Sequence, residues 1–144
     1  MKIFSTKSRF LLFFFAFLVF GCSPIMASFD QASYSQVTSL KVDVLALMDK
    51  GTNDYSSEAA DITAVQTEMN KAIEYDAHRP KNNITNEMWH LMSDTSGHLW
   101  GGFLKQWKKE RTLGKAYIAD KKVQIDSSFN KIANLEIHKM HSSD

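Results

Sequence analysis

From residue 30 onward, apolar and polar positions follow each other with helical spacing. Val37, Leu40, Val44 and Leu47 recur at intervals of three and four, which puts them on one face of a helix expected over 30–50. Gly51 is expected to stop that helix as a left-handed C-cap, with 51–54 as the turn. A second helix is expected over 56–77. Tyr55, Ala59, Ile62, Val65, Met69, Ala72 and Ile73 mark its inner face, and Glu58, Asp61, Glu68 and Glu74 its outer one. Arg79-Pro80 closes it, because proline disfavours helix in the residue before it.

The second half is more broken. Thr85 is expected to N-cap a short helix over 86–93, with Ile84 and Trp89 spaced as a hydrophobic staple. "SDTSG" interrupts it. The segment 98–111, "HLWGGFLKQWKKER", then groups Leu99, Trp100, Phe103, Leu104 and Trp107 on one side and Lys105, Lys108 and Lys109 on the other. Gly101 and Gly102 weaken its first turn by about 1 kcal/mol each relative to alanine. A last helix over 113–139 carries Ile118, Ile125, Phe129, Ile132 and Leu135 inward, and the final "HKMHSSD" is expected to fray. No segment alternates with the period of a strand. The pattern predicts an all-α fold over 30–144: a small helical bundle of three long amphipathic helices plus a short aromatic helical pair.

The first 21 residues follow different rules. Lys2, Lys7 and Arg9 precede the wholly apolar run 10–20, and a basic head before a short apolar core reads as a secretory signal peptide. That run is well short of the roughly 20 apolar residues a membrane span needs. Cys22, the single cysteine, follows directly. Val19, Phe20, Gly21 and Cys22, "VFGC", resemble the lipobox of bacterial lipoprotein precursors. The resemblance implies acylation of the Cys22 thiol, cleavage before Cys22, and acylation of the new amino terminus. The chain then divides into a signal peptide (1–21), a lipidated tether (22–29) and the bundle (30–144). Ser23, where inner-membrane lipoproteins carry aspartate, implies a Gram-negative outer-membrane address facing the periplasm. An alternative cut after Ala27, at "IMA", would leave a secreted or soluble periplasmic product.

Composition narrows the chemistry. With its one thiol expected to carry lipid, the mature chain has none left for a disulfide, a cysteine nucleophile or a thiolate metal site. Residues 22–78 hold three basic and nine acidic side chains, and 79–144 hold eleven basic and seven acidic. Opposite halves of this kind pack together, or leave a basic face for anionic lipid or an acidic partner. Nucleic acid is not an expected partner at this near-neutral charge.

Candidate catalytic groups are weak. Ser93, Asp94, Thr95, Ser96 and His98 crowd one turn, yet neighbours in sequence rarely reach triad geometry, and turn chemistry explains them. His138 and His141 share a helical face but lie in the tail, and Met88, His90 and Met92 suit core packing more than copper. No catalytic residue, metal or cofactor is expected. The strongest signal is aromatic: all three tryptophans fall within 89–107, followed by lysines. Trp89, Trp100, Phe103, Trp107, Lys105, Lys108 and Lys109 are therefore the candidate contact residues, with at least one tryptophan expected at the surface. The expected function is a non-enzymatic, lipid-anchored envelope protein. It is expected to bind another envelope macromolecule through 89–111. A small-ligand carrier with a pocket between helices is the alternative, and an enzyme comes third.

Overall fold

The computed structural model describes residues 26–141, with side chains through Met140. The expected signal peptide and Cys22 lie outside the described residues. The described chain is all-α and contains no strand. Its helices are α1 (Gln31–Asp49), α2 (Ala59–Ala77), α3 (Asn83–Ser93), α4 (Trp100–Glu110) and α5 (Lys115–His141), with a 3-10 turn over Lys50–Thr52.

Most of each expected stripe becomes core, although Ala59 is exposed and Leu135 half-buried. Val37, Leu40, Val44 and Leu47 of α1 meet Ile62, Met69 and Ala72 of α2 and Ile118, Ile125, Phe129 and Ile132 of α5 in one buried cluster. Asp30 caps α1 by accepting from the Ser33 N–H at 2.8 Å, a bond that satisfies one of the first-turn donors. α1 runs antiparallel to α2 and α5. Ser33 meets Asp76 at one end (2.6 Å), and Gly51 O accepts from the Leu113 N–H at the other (2.8 Å). α4 caps this second end.

Four local expectations are corrected. Gly51 is not left-handed. It is buried against α5, where an added Cβ would lie 3.0 Å from Ile118 Cδ1, so it is glycine for closeness rather than for φ. Residues 55–58 form a turn, so the helix expected from 56 starts at Ala59, because the Asp54 carboxylate holds the Ser56 N–H at 2.9 Å. Thr85 lies inside α3, which Asn82 precedes, and Ile84 is 52% exposed, so no staple forms. The tail stays helical through His141, because Lys139 is buried there.

Two non-glycine residues adopt left-handed φ, Lys81 (63°) and Arg111 (67°). Each presents its carbonyl to a distant segment: Lys81 O accepts from the Ala27 N–H at 3.0 Å, and Arg111 O from the Tyr55 N–H at 2.8 Å. A β-carbon disfavours this region, so these long-range bonds help hold it.

Candidate functional site

The aromatic side chains of the expected contact region are not a surface. Trp89, Trp100, Phe103 and Trp107 are all 0% exposed, which corrects the expectation of an accessible tryptophan. Trp100 stacks on Phe103 with centroids 5.9 Å apart, and Phe103 meets Trp107 edge-on at 6.0 Å. Every indole N–H has a partner, as burial of that group requires. Trp89 donates to Asp76 Oδ2 (2.7 Å), Trp100 to Gln66 Oε1 (2.7 Å) and Trp107 to Asn53 O (3.0 Å). Trp89 and Trp100 thus tie α3 and α4 to α2, and Trp107 ties α4 to the turn after α1. All three tryptophans fill the core.

The paired glycines explain how α4 reaches that position. An added Cβ on Gly101 would lie 2.1 Å from Ser93 O, and one on Gly102 would lie 2.0 Å from Gly97 O. Backbone meets backbone at both places, so no side chain can be accommodated. The 94–97 turn is itself fixed. Asp94 Oδ1 accepts from the Ser96 N–H at 2.7 Å, and Asp94 O from the Gly97 N–H at 3.1 Å. The Ser93–His98 cluster is therefore a turn, as its small polar residues suggest. The Ser96 N–H and hydroxyl, with Lys105 nearby, hold the Asp94 carboxyl below the usual carboxylate range.

Lys105, Lys108 and Lys109 remain exposed on the outer side of α4. Two of them converge with a third lysine from α5. Lys105, Lys109, Lys121 and His98 line a cleft of about 230 Å³ whose wall is the rigid 95–98 turn and whose floor includes Gly102 and Tyr117. Lys108 is outside it. Lys109 pairs with its exposed neighbour Glu110 at 3.2 Å, and Lys121 donates to Gln124 at 3.0 Å. Neither arrangement neutralises the cleft strongly, since exposed ion pairs are worth about 0–1 kcal/mol.

The opposite end carries a feature that sequence reasoning missed. Asp76 and Glu136 are 1% exposed and Lys139 is 2% exposed. Asp76 Oδ1 accepts from Ser33 Oγ (2.6 Å), Arg79 (3.1 Å) and Asn82 (3.1 Å), while its Oδ2 takes the Trp89 N–H. Glu136 Oε1 accepts from Arg79 at 3.0 Å and from the Asp30 N–H at 2.8 Å. Lys139 donates to Glu136 Oε2 (2.5 Å), Asn82 Oδ1 (2.7 Å) and Thr85 Oγ1 (3.0 Å). Two carboxylates face two cations, and the ammonium finds three acceptors. Such complete pairing is what makes a buried ionic cluster tolerable. The signal was register: Met69, Ala72, Asp76 and Ile125, Phe129, Ile132, Glu136 each continue an apolar stripe into a charge.

That cluster grips the incoming chain. Arg79 donates to Ser28 O at 2.5 Å, Glu136 holds the Asp30 N–H, and Lys81 O holds Ala27. Residues 27–30 are thus fixed to one end of the bundle, and the lysine cleft occupies the other. The 19 residues of α1 separate the two ends by about 28 Å. Compared with known proteins, the chain matches no family model, no curated protein and no solved structure.

Proposed function

We propose that the chain is a non-enzymatic bacterial envelope protein, exported by its signal peptide (1–21) and anchored through acyl chains on Cys22. In this reading the bundle of three long helices and a short aromatic pair stands on its tether and presents its lysine-bearing end to another envelope macromolecule. The "VFGC" stretch supports the anchor. The observation that carries the orientation is the grip on residues 27–30 at the end opposite α4. Four residues from Met26 to Cys22 reach at most about 14 Å, so an upright bundle holds Lys105, Lys108 and Lys109 clear of the membrane that holds the lipid. Ile84 (52% exposed) and Met140 (49% exposed) flank the tether end, where apolar side chains suit a bilayer interface.

Cys22→Ser tests the anchor. It is expected to release the protein from membranes and to abolish labelling by a fatty-acid analogue. An unmodified amino terminus at Ser28 in the membrane-bound protein would refute the anchor. A photocrosslinker at Lys108 tests the contact end. It should capture one stoichiometric partner in intact envelopes, where the same probe at Val42, exposed on the side of α1, should not. Equal capture from both positions rejects the lysine-bearing end as the contact surface.

A further inference from the structure

We propose that the distal cleft binds a phosphate group. The proposal rests on the reading of the distal end as a contact surface, and it names the chemistry that end recognises. Three ammonium groups and an imidazole from three segments, Lys105 and Lys109 of α4, Lys121 of α5 and His98 of the preceding turn, surround one small concave space. No carboxylate lines it. Of the acidic groups on these segments, Asp94 is held by Ser96 and Asp120 by Gln124, while Glu110 pairs with Lys109 across an exposed contact that a phosphate can displace. Lys105 and Lys109 stand one helical turn apart, an arrangement that destabilises a helix by a few tenths of a kcal/mol unless an anion lies between them.

A cleft of about 230 Å³ has room for a phosphate monoester or diester with a short stub of its alcohol. Lysine binds phosphate as a point charge, and the Thr95 hydroxyl adds a donor on the turn side. The cleft is preorganised. The turn is held by Asp94, and Gly102 lets it close onto α4 where any side chain would collide with Gly97 O. Binding therefore orders few groups beyond the lysine side chains, which keeps the entropic cost low.

The test uses the processed protein in detergent micelles, with three probes: inorganic phosphate, glycerol 3-phosphate, and phosphatidylglycerol vesicles. Both soluble phosphates are expected to shift the amide resonances of Gly97 and Gly102 saturably. Lys109→Gln and Lys121→Gln should each weaken glycerol 3-phosphate binding by about tenfold, the loss expected for one charge-assisted hydrogen bond. Lys108→Gln, on the same helix but outside the cleft, should change it by less than about twofold, as a screened surface charge does. Vesicle binding with no saturable response to soluble phosphate makes the end a diffuse lipid-attracting surface and overturns the pocket. Equal weakening by Lys108→Gln overturns it as well. Either result with crosslinking at Lys108 intact removes the phosphate site alone. Loss of that crosslink removes the contact-surface reading instead.

Discussion

The two ends of the bundle solve the same problem, closing a core, with opposite chemistry. At the distal end Trp100, Phe103, Trp107 and Tyr55 interlock as rings, and glycines bring backbones into contact. At the tether end Asp76, Arg79, Glu136 and Lys139 close the core with charge, each carboxylate oxygen hydrogen-bonded. Burial of apolar surface is non-directional, and the ring pairs add only a preference for stacked or edge-on geometry. A buried ionic cluster holds only when every partner is in place. The rigid, all-or-none end is the one that grips the incoming chain, which suits a join that must not slip. The aromatic end supports a surface of lysines and requires only a firm foundation beneath them.

That contrast can be broken by substitution. The largest effects are expected from removing one member at either end. Trp107→Ala should cost about 3–5 kcal/mol through its cavity, and Lys139→Met about 3 kcal/mol because Glu136 Oε2 is left buried without a partner, Arg79 reaching only Oε1. Urea unfolding measures both. The ends then part company. Adding Glu136→Leu to Lys139→Met should recover part of the loss, since it removes the buried carboxylate but leaves the Asp30 N–H without its acceptor and Arg79 with Asp76 as its only carboxylate. No second change nearby should rescue Trp107→Ala. If the double variant is as unstable as the single, the ionic end is not governed by unpaired charge.

Trp89 joins both chemistries, with its ring against Phe129 at 6.2 Å and its N–H on Asp76. Trp89→Phe keeps most of the packing and strands Asp76 Oδ2, so a loss of about 1–3 kcal/mol is expected. A loss below about 0.5 kcal/mol, the scale of an ordinary surface change, would mean water or another donor replaces the indole. Among the glycines, Gly102→Ala should cost about 1–3 kcal/mol, since overpacking here forces backbone to move. Gly51→Ala should cost less, because the atom it meets, Ile118 Cδ1, ends a flexible side chain. The ranking of their midpoints in urea checks this.

The smallest effect is in pH. The Ser56 hydroxyl and N–H, then Arg111, hold Asp54 down at about 2. The Ser33 N–H, against the cost of burial and helped by the Tyr75 hydroxyl, holds Asp30 below its ordinary value as well. A carboxylate depressed in the folded state contributes stability that is complete above its unfolded pKa of about 3.9. The contribution is lost as pH falls through the folded value. Stability should therefore decline between about pH 4 and pH 2, and Asp54→Asn should flatten part of that decline. Carboxyl resonances followed by NMR should show Asp54 titrating near 2. A midpoint close to 4 for Asp54 would remove its contribution.

Sequence periodicity located the five helices and most of the core, because a stripe repeating at three and four residues has only one way to be buried. Val37 through Leu47 and Ile118 through Ile132 lie where their spacing put them. The same sequence could not say that four aromatic side chains of 89–107 all turn inward. Trp and Phe beside lysines satisfy a core and a docking face equally well, and only the positions of Gln66, Asn53 and Asp76 decide where each indole N–H finds its partner. Nor could it assign Gly51, whose reason is Ile118, 67 positions away in sequence. Asp76, Arg79, Glu136 and Lys139 look like ordinary helical charges until four segments meet at one end. Burial turns a local pair worth a few tenths of a kcal/mol into a cluster in which every member is required. Hydrophobic spacing is a property of one helix and is written in its own sequence. Polar satisfaction in a core is a property of several helices at once, and only their assembly determines it.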